Sequence, residues 1–330
     1  MAITHGGDVF AVAREHGWDW RDVLDFSANI NPLGPSPRVR QAICGALDRI
    51  VHYPEREPER LRAALAQAWH LESDQILLGN GATELIFFFA RLFRDRPVTL
   101  ALPVFSEFER AFPQCRTADL TDEATWPASG LLVLTRPANP TAWSLSLAML
   151  REYLESSTAM VLVDESFLEF SCLPSAAELI QEYSRVAVLR SLTKFYALPG
   201  LRVGALVGDS AAVREWKLQR EPWQVSVLAE EAALAAIGDL DHAARTIEFV
   251  RSERVWLAQR IADLLNIEQP ATDANFLFVK LNYSAAALCE HMLRQKILLR
   301  QCSDDAVRIA VRLREENQRL LQAWKEFPCA

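Results

Sequence analysis

The stretch Val186-Ala187-Val188-Leu189-Arg190-Ser191-Leu192-Thr193-Lys194-Phe195-Tyr196-Ala197-Leu198-Pro199-Gly200-Leu201-Arg202-Val203-Gly204 decides how the rest of the chain is read. It opens on a short apolar run, the mark of a strand buried on both faces. A lysine flanked by hydroxyls follows, Pro199-Gly200 forces a turn, and a second apolar run begins at Val203. A lysine is a poor nucleophile while it stays a solvated ammonium. Beside Ser191 and Thr193, with Arg202 just downstream, Lys194 suits a Schiff base with an aldehyde cofactor whose phosphate those hydroxyls and the guanidinium hold. The plain alternative is a surface lysine in a loop of small residues, and only further clusters decide between the two.

Outward from this segment, short apolar runs alternate with amphipathic ones. Strands are expected at 75–79, 98–102, 131–135, 160–164, 186–190 and 203–207, with helices at 82–94, 105–112 and 146–156. That alternation specifies an α/β architecture with a mainly parallel sheet covered on both faces. Residues 211–265 read as helical with a break near Gly238-Asp239. After Pro270 the pattern becomes a compact α+β unit, with strands at 275–280, 297–300 and 307–311 and helices at 285–294 and 315–326. The organisation expected is an N-terminal segment, 1–45, packing with the small domain, a large domain over 46–238, and the small C-terminal domain over 239–330.

At 330 residues the chain exceeds one ordinary core, which fits a large domain plus a smaller one. A net charge of −8 argues against nucleic acid as the main partner. No apolar run approaches a membrane span, and Met1 to Asp8 has neither the basic start nor the apolar core of a signal peptide, so a cytoplasmic protein is expected. The six cysteines are scattered without a Cys-x-x-Cys pair and the six histidines form no His-Glu-x-x-His pattern. Reduced thiols and no metal site are therefore expected.

Three more clusters fall at the carboxyl ends of expected strands. Gly79-Asn80-Gly81-Ala82-Thr83-Glu84 joins a strand to a helix, where small residues and free N–H groups receive an anion. Its alternative is an ordinary capped turn, and no Gly-Lys-Ser/Thr follows to make it a Walker loop. Asp164 ends its strand where open α/β sheets bind ligands. There it would keep a pyridine nitrogen protonated, or serve as a helix N-cap. Asn139, between Pro137 and Pro140, would donate to a phenolate oxygen or simply make an Asn-Pro turn. Phe105 would stack on an aromatic cofactor or fill the core.

A phosphate cradle, an Asn, an Asp and a Lys in that order resemble the fold-type I pyridoxal-phosphate enzymes of the aminotransferase class I/II superfamily, over essentially the whole chain. The resemblance implies a large domain with a seven-stranded-type sheet plus a smaller α+β domain. It implies that Lys194 bonds to the cofactor aldehyde, Asp164 pairs with the ring nitrogen, Asn139 binds the ring hydroxyl and Phe105 stacks on the ring. Gly81, Ala82, Thr83, Ser191, Thr193 and Arg202 would surround the phosphate. Two positions depart from the pattern: Phe167 stands where many relatives carry Tyr, and Ala142 where many carry Gly.

The chain ends narrow the resemblance. His5-Gly6-Gly7, the run Asp25-Phe26-Ser27-Ala28-Asn29-Ile30-Asn31-Pro32-Leu33-Gly34, Tyr53-Pro54 and Phe105 to Arg110 resemble the threonine-phosphate decarboxylases of cobalamin biosynthesis. Histidinol-phosphate aminotransferases are near relatives and share Arg308 in Val307-Arg308-Ile309. By this resemblance Arg308 takes the substrate carboxylate, with Arg300 nearby, since a guanidinium fork binds carboxylate or phosphate through two hydrogen bonds. His5 and Asn31 would line the substrate pocket, and Tyr53 would reach the cofactor phosphate of the neighbouring subunit in a homodimer. The activity implied is decarboxylation of L-threonine O-3-phosphate to (R)-1-amino-2-propanol O-2-phosphate. Transamination of histidinol phosphate or an aromatic amino acid is the alternative, and a catalytically silent cofactor-binding partner of a cobalamin enzyme is a third reading.

Overall fold

A computed structural model describes residues 6–328. Its strands are β1 (Leu24–Asp25), β2 (Ile76–Gly79), β3 (Val98–Leu102), β4 (Arg116–Asp119), β5 (Leu131–Thr135), β6 (Met160–Asp164), β7 (Val186–Ser191), β8 (Gly204–Val207), β9 (Phe276–Lys280), β10 (Ile297–Leu298), β11 (Arg300–Ser303) and β12 (Ala306–Ala310). Seven of them form one sheet in the order β2-β8-β7-β6-β5-β3-β4. Neighbours are parallel except around β8, which runs antiparallel to both β7 and β2. The mainly parallel α/β sheet expected from the sequence is therefore present.

Its strands read as unbroken apolar runs because both faces are covered. Leu131 and Val133 pack on one side with Phe88, Phe89 and Trp216. Leu132 and Leu134 pack on the other with Leu150, Leu154 and Leu179. Near β2 and β8, Leu61, Leu65, Ala229 and Ala233 from the helices Glu59–Trp69 and Val227–Ile237 complete the cover. The one strand of this sheet absent from the sequence reading is β4. It is an edge strand in which only Ala118 is buried, so it carries no apolar run to betray it.

The C-terminal unit is an antiparallel sheet, β11-β12-β9, covered by the helices Ala285–Arg294 and Arg314–Lys325. The N-terminal segment is laced into it: Leu24 N–H donates to the Lys296 carbonyl, Phe26 N–H to Leu298, and Ala310 N–H to Phe26, each at 2.9 Å. Phe26 then lies in the same apolar cluster as Leu277, Ile309 and Trp324. The helix Leu240–Leu265 connects the two units. Its start is fixed by Asp239, whose carboxylate accepts the His242 N–H at 3.2 Å, and this is the break expected near Gly238.

Register gathers the site. Thr135 pairs with Asp164 and Asp164 with Leu189, so the ends of β5, β6 and β7 lie level. Because β8 runs backwards, its first residue, Gly204, pairs with both Ser191 and Gly79, the last residues of β7 and β2. Arg202 is thereby delivered to the same carboxyl edge. A Cβ at Gly204 would stand 2.7 Å from the Ala82 nitrogen and 3.1 Å from the Arg190 carbonyl oxygen, and neither backbone atom can step aside. Gly204→Ala is expected to cost about 1–3 kcal/mol, measured by urea unfolding, and to weaken anion binding at the 81–83 turn. Unchanged stability would contradict this packing.

Candidate active site

The lysine of the opening segment sits in a four-residue helix, Leu192–Phe195, immediately past β7. Asn31 holds this turn from the N-terminal segment. Its N–H donates to the Lys194 carbonyl at 3.0 Å, and its Nδ2 donates to the Phe195 carbonyl and the Thr246 hydroxyl, each at 2.9 Å. Lys194 itself opens onto a cavity of about 400 Å³ that also receives Ala82, Thr83, Phe105, Asn139, Asp164, Ser191, Thr193, Arg202, Arg300 and Arg308. Residues spread over more than two hundred positions thus meet in one place.

At one end the helix Gly81–Leu92 begins without a side-chain cap, leaving its first N–H groups for a ligand. Gly81 has φ of +80°, and a Cβ there would meet Arg202 Nη2 at 2.5 Å, so only glycine lets the guanidinium lie against this turn. Arg202 is itself held at φ 57°, in the left-handed region, by the turn that Pro199-Gly200 begins. The Ser191 and Thr193 hydroxyls share a hydrogen bond of 2.8 Å beside it. These groups together could hold a dianionic phosphate.

In the middle, Asp164 accepts the Ser166 N–H at 2.9 Å and the Ser166 hydroxyl at 2.6 Å through one oxygen, Oδ1. Burial pushes its carboxyl up to about 6, against the pull of the Ser166 hydrogen bonds and of Lys194. Burial also brings the Lys194 amine down to about 8, reinforced by the guanidiniums of Arg308 and Arg202 and opposed by Asp164. Burial thus draws the carboxyl and the amine toward neutral pH from opposite sides.

At the far end Arg308 is almost wholly buried and pulled down to about 10 by that burial, so it remains a cation at neutral pH. Its Nη2 donates to the Ser27 carbonyl, and its Nη1 donates to Asn139 Oδ1 at 2.6 Å. A guanidinium can only donate, so this contact fixes which way the amide faces and leaves Nδ2 of Asn139 for another partner. Arg300 stands opposite Arg308 in the β11–β12 register. Phe167 meets Phe276 edge-on at 5.1 Å on the cavity wall, so the position where many relatives carry Tyr is apolar here. Ala142 keeps the turn at φ 59°, with its N–H on the Ala138 carbonyl at 2.7 Å.

Three expected residues stand apart. Asn31 is buried but spends its side chain on the lysine turn and does not line the cavity. Tyr53 is 82% exposed, with its ring 5.1 Å from that of Trp223, outside this cavity. His5 lies outside the described residues. In exchange, the cavity contains a residue the sequence reading passed over. Asn29 is 3% exposed, lines the cavity, and has no hydrogen-bond partner for either Nδ2 or Oδ1. A buried amide left unsatisfied on a cavity wall has hydrogen-bonding capacity suited to a polar ligand. A tight turn, Ile30 N–H to the Ala28 carbonyl at 2.9 Å, gives Asn29 and Asn31 different neighbours. The repeated Asn-Ile-Asn offered no way to choose between them.

A half-buried amine, a carboxylate, an amide, an aromatic residue on the cavity wall and an uncapped helix start beside a guanidinium are groups that could hold pyridoxal 5'-phosphate. The sequence model of the family aminotransferase class I and II matches residues 21–119 and 114–323. A threonine-phosphate decarboxylase from Salmonella typhimurium is 34% identical over 98% of this chain and 96% of its own length. A histidinol-phosphate aminotransferase from Symbiobacterium thermophilum is 33% identical over 97% of this chain and 94% of its own. The crystal structure of a histidinol-phosphate aminotransferase from Sinorhizobium meliloti, in complex with pyridoxal-5'-phosphate, shares the fold with a TM-score of 0.85 at 21% identity, covering 97% of this chain and 94% of that one. The chain belongs to the aminotransferase class I and II family, and pyridoxal phosphate is its cofactor.

A lysine whose amine is lowered in the folded state destabilises the fold wherever the unfolded chain would keep the proton. The cost is whole below about pH 8 and disappears as pH rises through the ordinary lysine value of 10.5. Apo Lys194→Met is therefore expected to be more stable than the apo wild type at pH 7, by on the order of 2 kcal/mol. That advantage should shrink steadily above pH 8 in denaturant melts. A gap independent of pH would contradict the buried-amine account.

Proposed function

We propose that this member of the aminotransferase class I and II family decarboxylates L-threonine O-3-phosphate to (R)-1-amino-2-propanol O-2-phosphate, the linker of the cobalamin nucleotide loop. The observation that carries the reading is the surplus of anion-binding groups. With Arg202 and the 81–83 turn assigned to the cofactor phosphate, Arg308 and the unsatisfied Asn29 lie in the same cavity, which Arg300 also lines. A phosphorylated α-amino acid brings two anionic groups to such a set. The Salmonella relative, by its name, acts on threonine phosphate.

When bound, pyridoxal phosphate supplies an electron sink for the pair released when a bond to the substrate Cα breaks. The protein's part is to choose that bond. Lys194 would hold the cofactor through its aldehyde until a substrate amine takes its place. Asp164, a carboxylate above about pH 6, holds a proton on the ring nitrogen. Asn139, its amide oriented by Arg308, donates to the ring oxygen, which Phe167 leaves with no second donor from that wall. Arg308 and Arg300 would bind the substrate anions and so orient the substrate Cα for one bond cleavage over another. Once freed, the Lys194 amine lies at the cavity floor with a proton affinity suited to returning a proton to Cα. A role for His5 at the substrate phosphate, implied by sequence resemblance alone, belongs to this proposal.

The exposed apolar residues Ile50, Val51, Tyr53, Leu218 and Trp223 support a homodimer in which Tyr53 enters the neighbouring cavity. The second reading, transamination of the histidinol-phosphate type, is favoured by the near-equal identity of the Symbiobacterium relative and would use the same cofactor residues.

Incubated with L-threonine phosphate and cofactor but no 2-oxoglutarate, the enzyme is expected to release carbon dioxide at full rate. Amino transfer to 2-oxoglutarate with no carbon dioxide would sink the proposal in favour of the second reading. Asn29→Ala should raise KM for threonine phosphate by about tenfold or more while leaving cofactor binding intact, since it removes a hydrogen bond to a charged group. Unchanged KM would remove Asn29 from the substrate site.

A further inference from the structure

Behind the cavity lies a buried group of charges that the chemistry above does not use. Arg136 is 1% exposed and Glu165 is 0% exposed, and they pair at 3.2 Å. Arg190 stands 3.7 Å from Glu165 and donates to Glu169 at 2.9 Å. Two guanidiniums and two carboxylates balance one another. Replacing such a group by apolar side chains is often neutral for stability, so stability alone does not explain its presence.

Its attachments do. Arg136 directly follows β5, Glu165 directly follows β6, and Arg190 lies in the last turn of pairing of β7. These are the three strands whose ends present Asn139, Asp164 and Lys194. The loop bearing Asn139 is closed by Arg136, whose Nε donates to the Leu145 carbonyl at 2.7 Å and whose Nη1 donates to the Pro174 carbonyl at 2.6 Å. Glu165 accepts the Ala176 N–H at 2.7 Å and the Ser175 hydroxyl at 2.5 Å, tying the segment after Asp164 to the next layer. Arg190 reaches the same Ser175 hydroxyl at 3.3 Å. The main chain continues the ladder past the strands, with Arg136 N–H on the Asp164 carbonyl at 2.8 Å and Glu165 N–H on the Leu189 carbonyl at 2.9 Å.

We propose that Arg136 and Glu165 are positioning residues: their buried pair clamps the ends of β5, β6 and β7 at one fixed spacing, and so fixes Asn139, Asp164 and Lys194 relative to one another around the cofactor ring. Successive residues on a strand face opposite ways. Asp164 faces the cavity while Glu165 anchors the opposite side, and the same peptide carries both roles. A hydrophobic pair of equal volume would fill the space but would not specify the directions of three loops.

The test separates placement from stability, and it reads pyridoxal phosphate affinity, which does not depend on which reaction the enzyme catalyses. Two variants are made, Glu165→Gln and the charge-balanced pair Arg136→Met with Glu165→Leu. Cofactor dissociation constants are titrated at a temperature where circular dichroism shows each variant folded. The expected result is that the paired variant has a melting temperature near that of the wild type, yet both variants bind the cofactor about tenfold or more weakly. Should the paired variant not fold, Glu165→Gln, which keeps the side-chain shape, decides alone. A folded variant of either kind that binds the cofactor within about twofold of the wild type would overturn the proposal.

Discussion

A half-buried lysine amine on a cavity wall, set near two guanidiniums, is a liability to any fold. Burial and the Arg202 and Arg308 cations both push it toward the neutral form, and only Asp164 offsets them. Much of the surrounding structure answers that constraint. The sheet brings the carboxylate to the amine through strand register, not through sequence proximity. The N-terminal segment pins the lysine turn through Asn31, and Phe170 packs edge-on to Phe195 at 5.2 Å beside it. A neutral amine poised near physiological pH is what carbonyl chemistry requires, so the destabilising feature and the useful one are the same.

The reversal of β8 is the topological counterpart. In an all-parallel sheet the residues before β8 would lie at the opposite edge from the lysine. Running β8 backwards lets one short turn carry Arg202 from Lys194 to the cradle. The close approach of three backbones at Gly204 follows from it.

Much of this was legible in the sequence because it is written in local terms. Unbroken apolar runs mark strands buried on two faces, and polar residues placed at their ends mark a ligand edge. Lys194, Asp164, Asn139, Thr83 and Arg202 were singled out in that way, and all five line one cavity. What stayed hidden depends on tertiary context. β4 is a polar edge strand with one buried residue. Asn29 and Asn31 are the same residue type two positions apart, and only the turn between them settles which faces the cavity. Arg136 and Glu165 sit next to residues that drew notice, but their pairing joins separate strands and leaves no periodic trace. Arg300, Arg308 and the segment 25–31, to which the proposed reaction is assigned, are brought together by the C-terminal sheet from opposite ends of the chain.

If Lys194 holds the cofactor, borohydride reduction of the cofactor-loaded protein followed by peptide mapping in the mass spectrometer should yield a single stoichiometric reduced-cofactor adduct on Lys194, absent from Lys194→Met. An adduct on another lysine, or none at saturating cofactor, would rule out that role for Lys194.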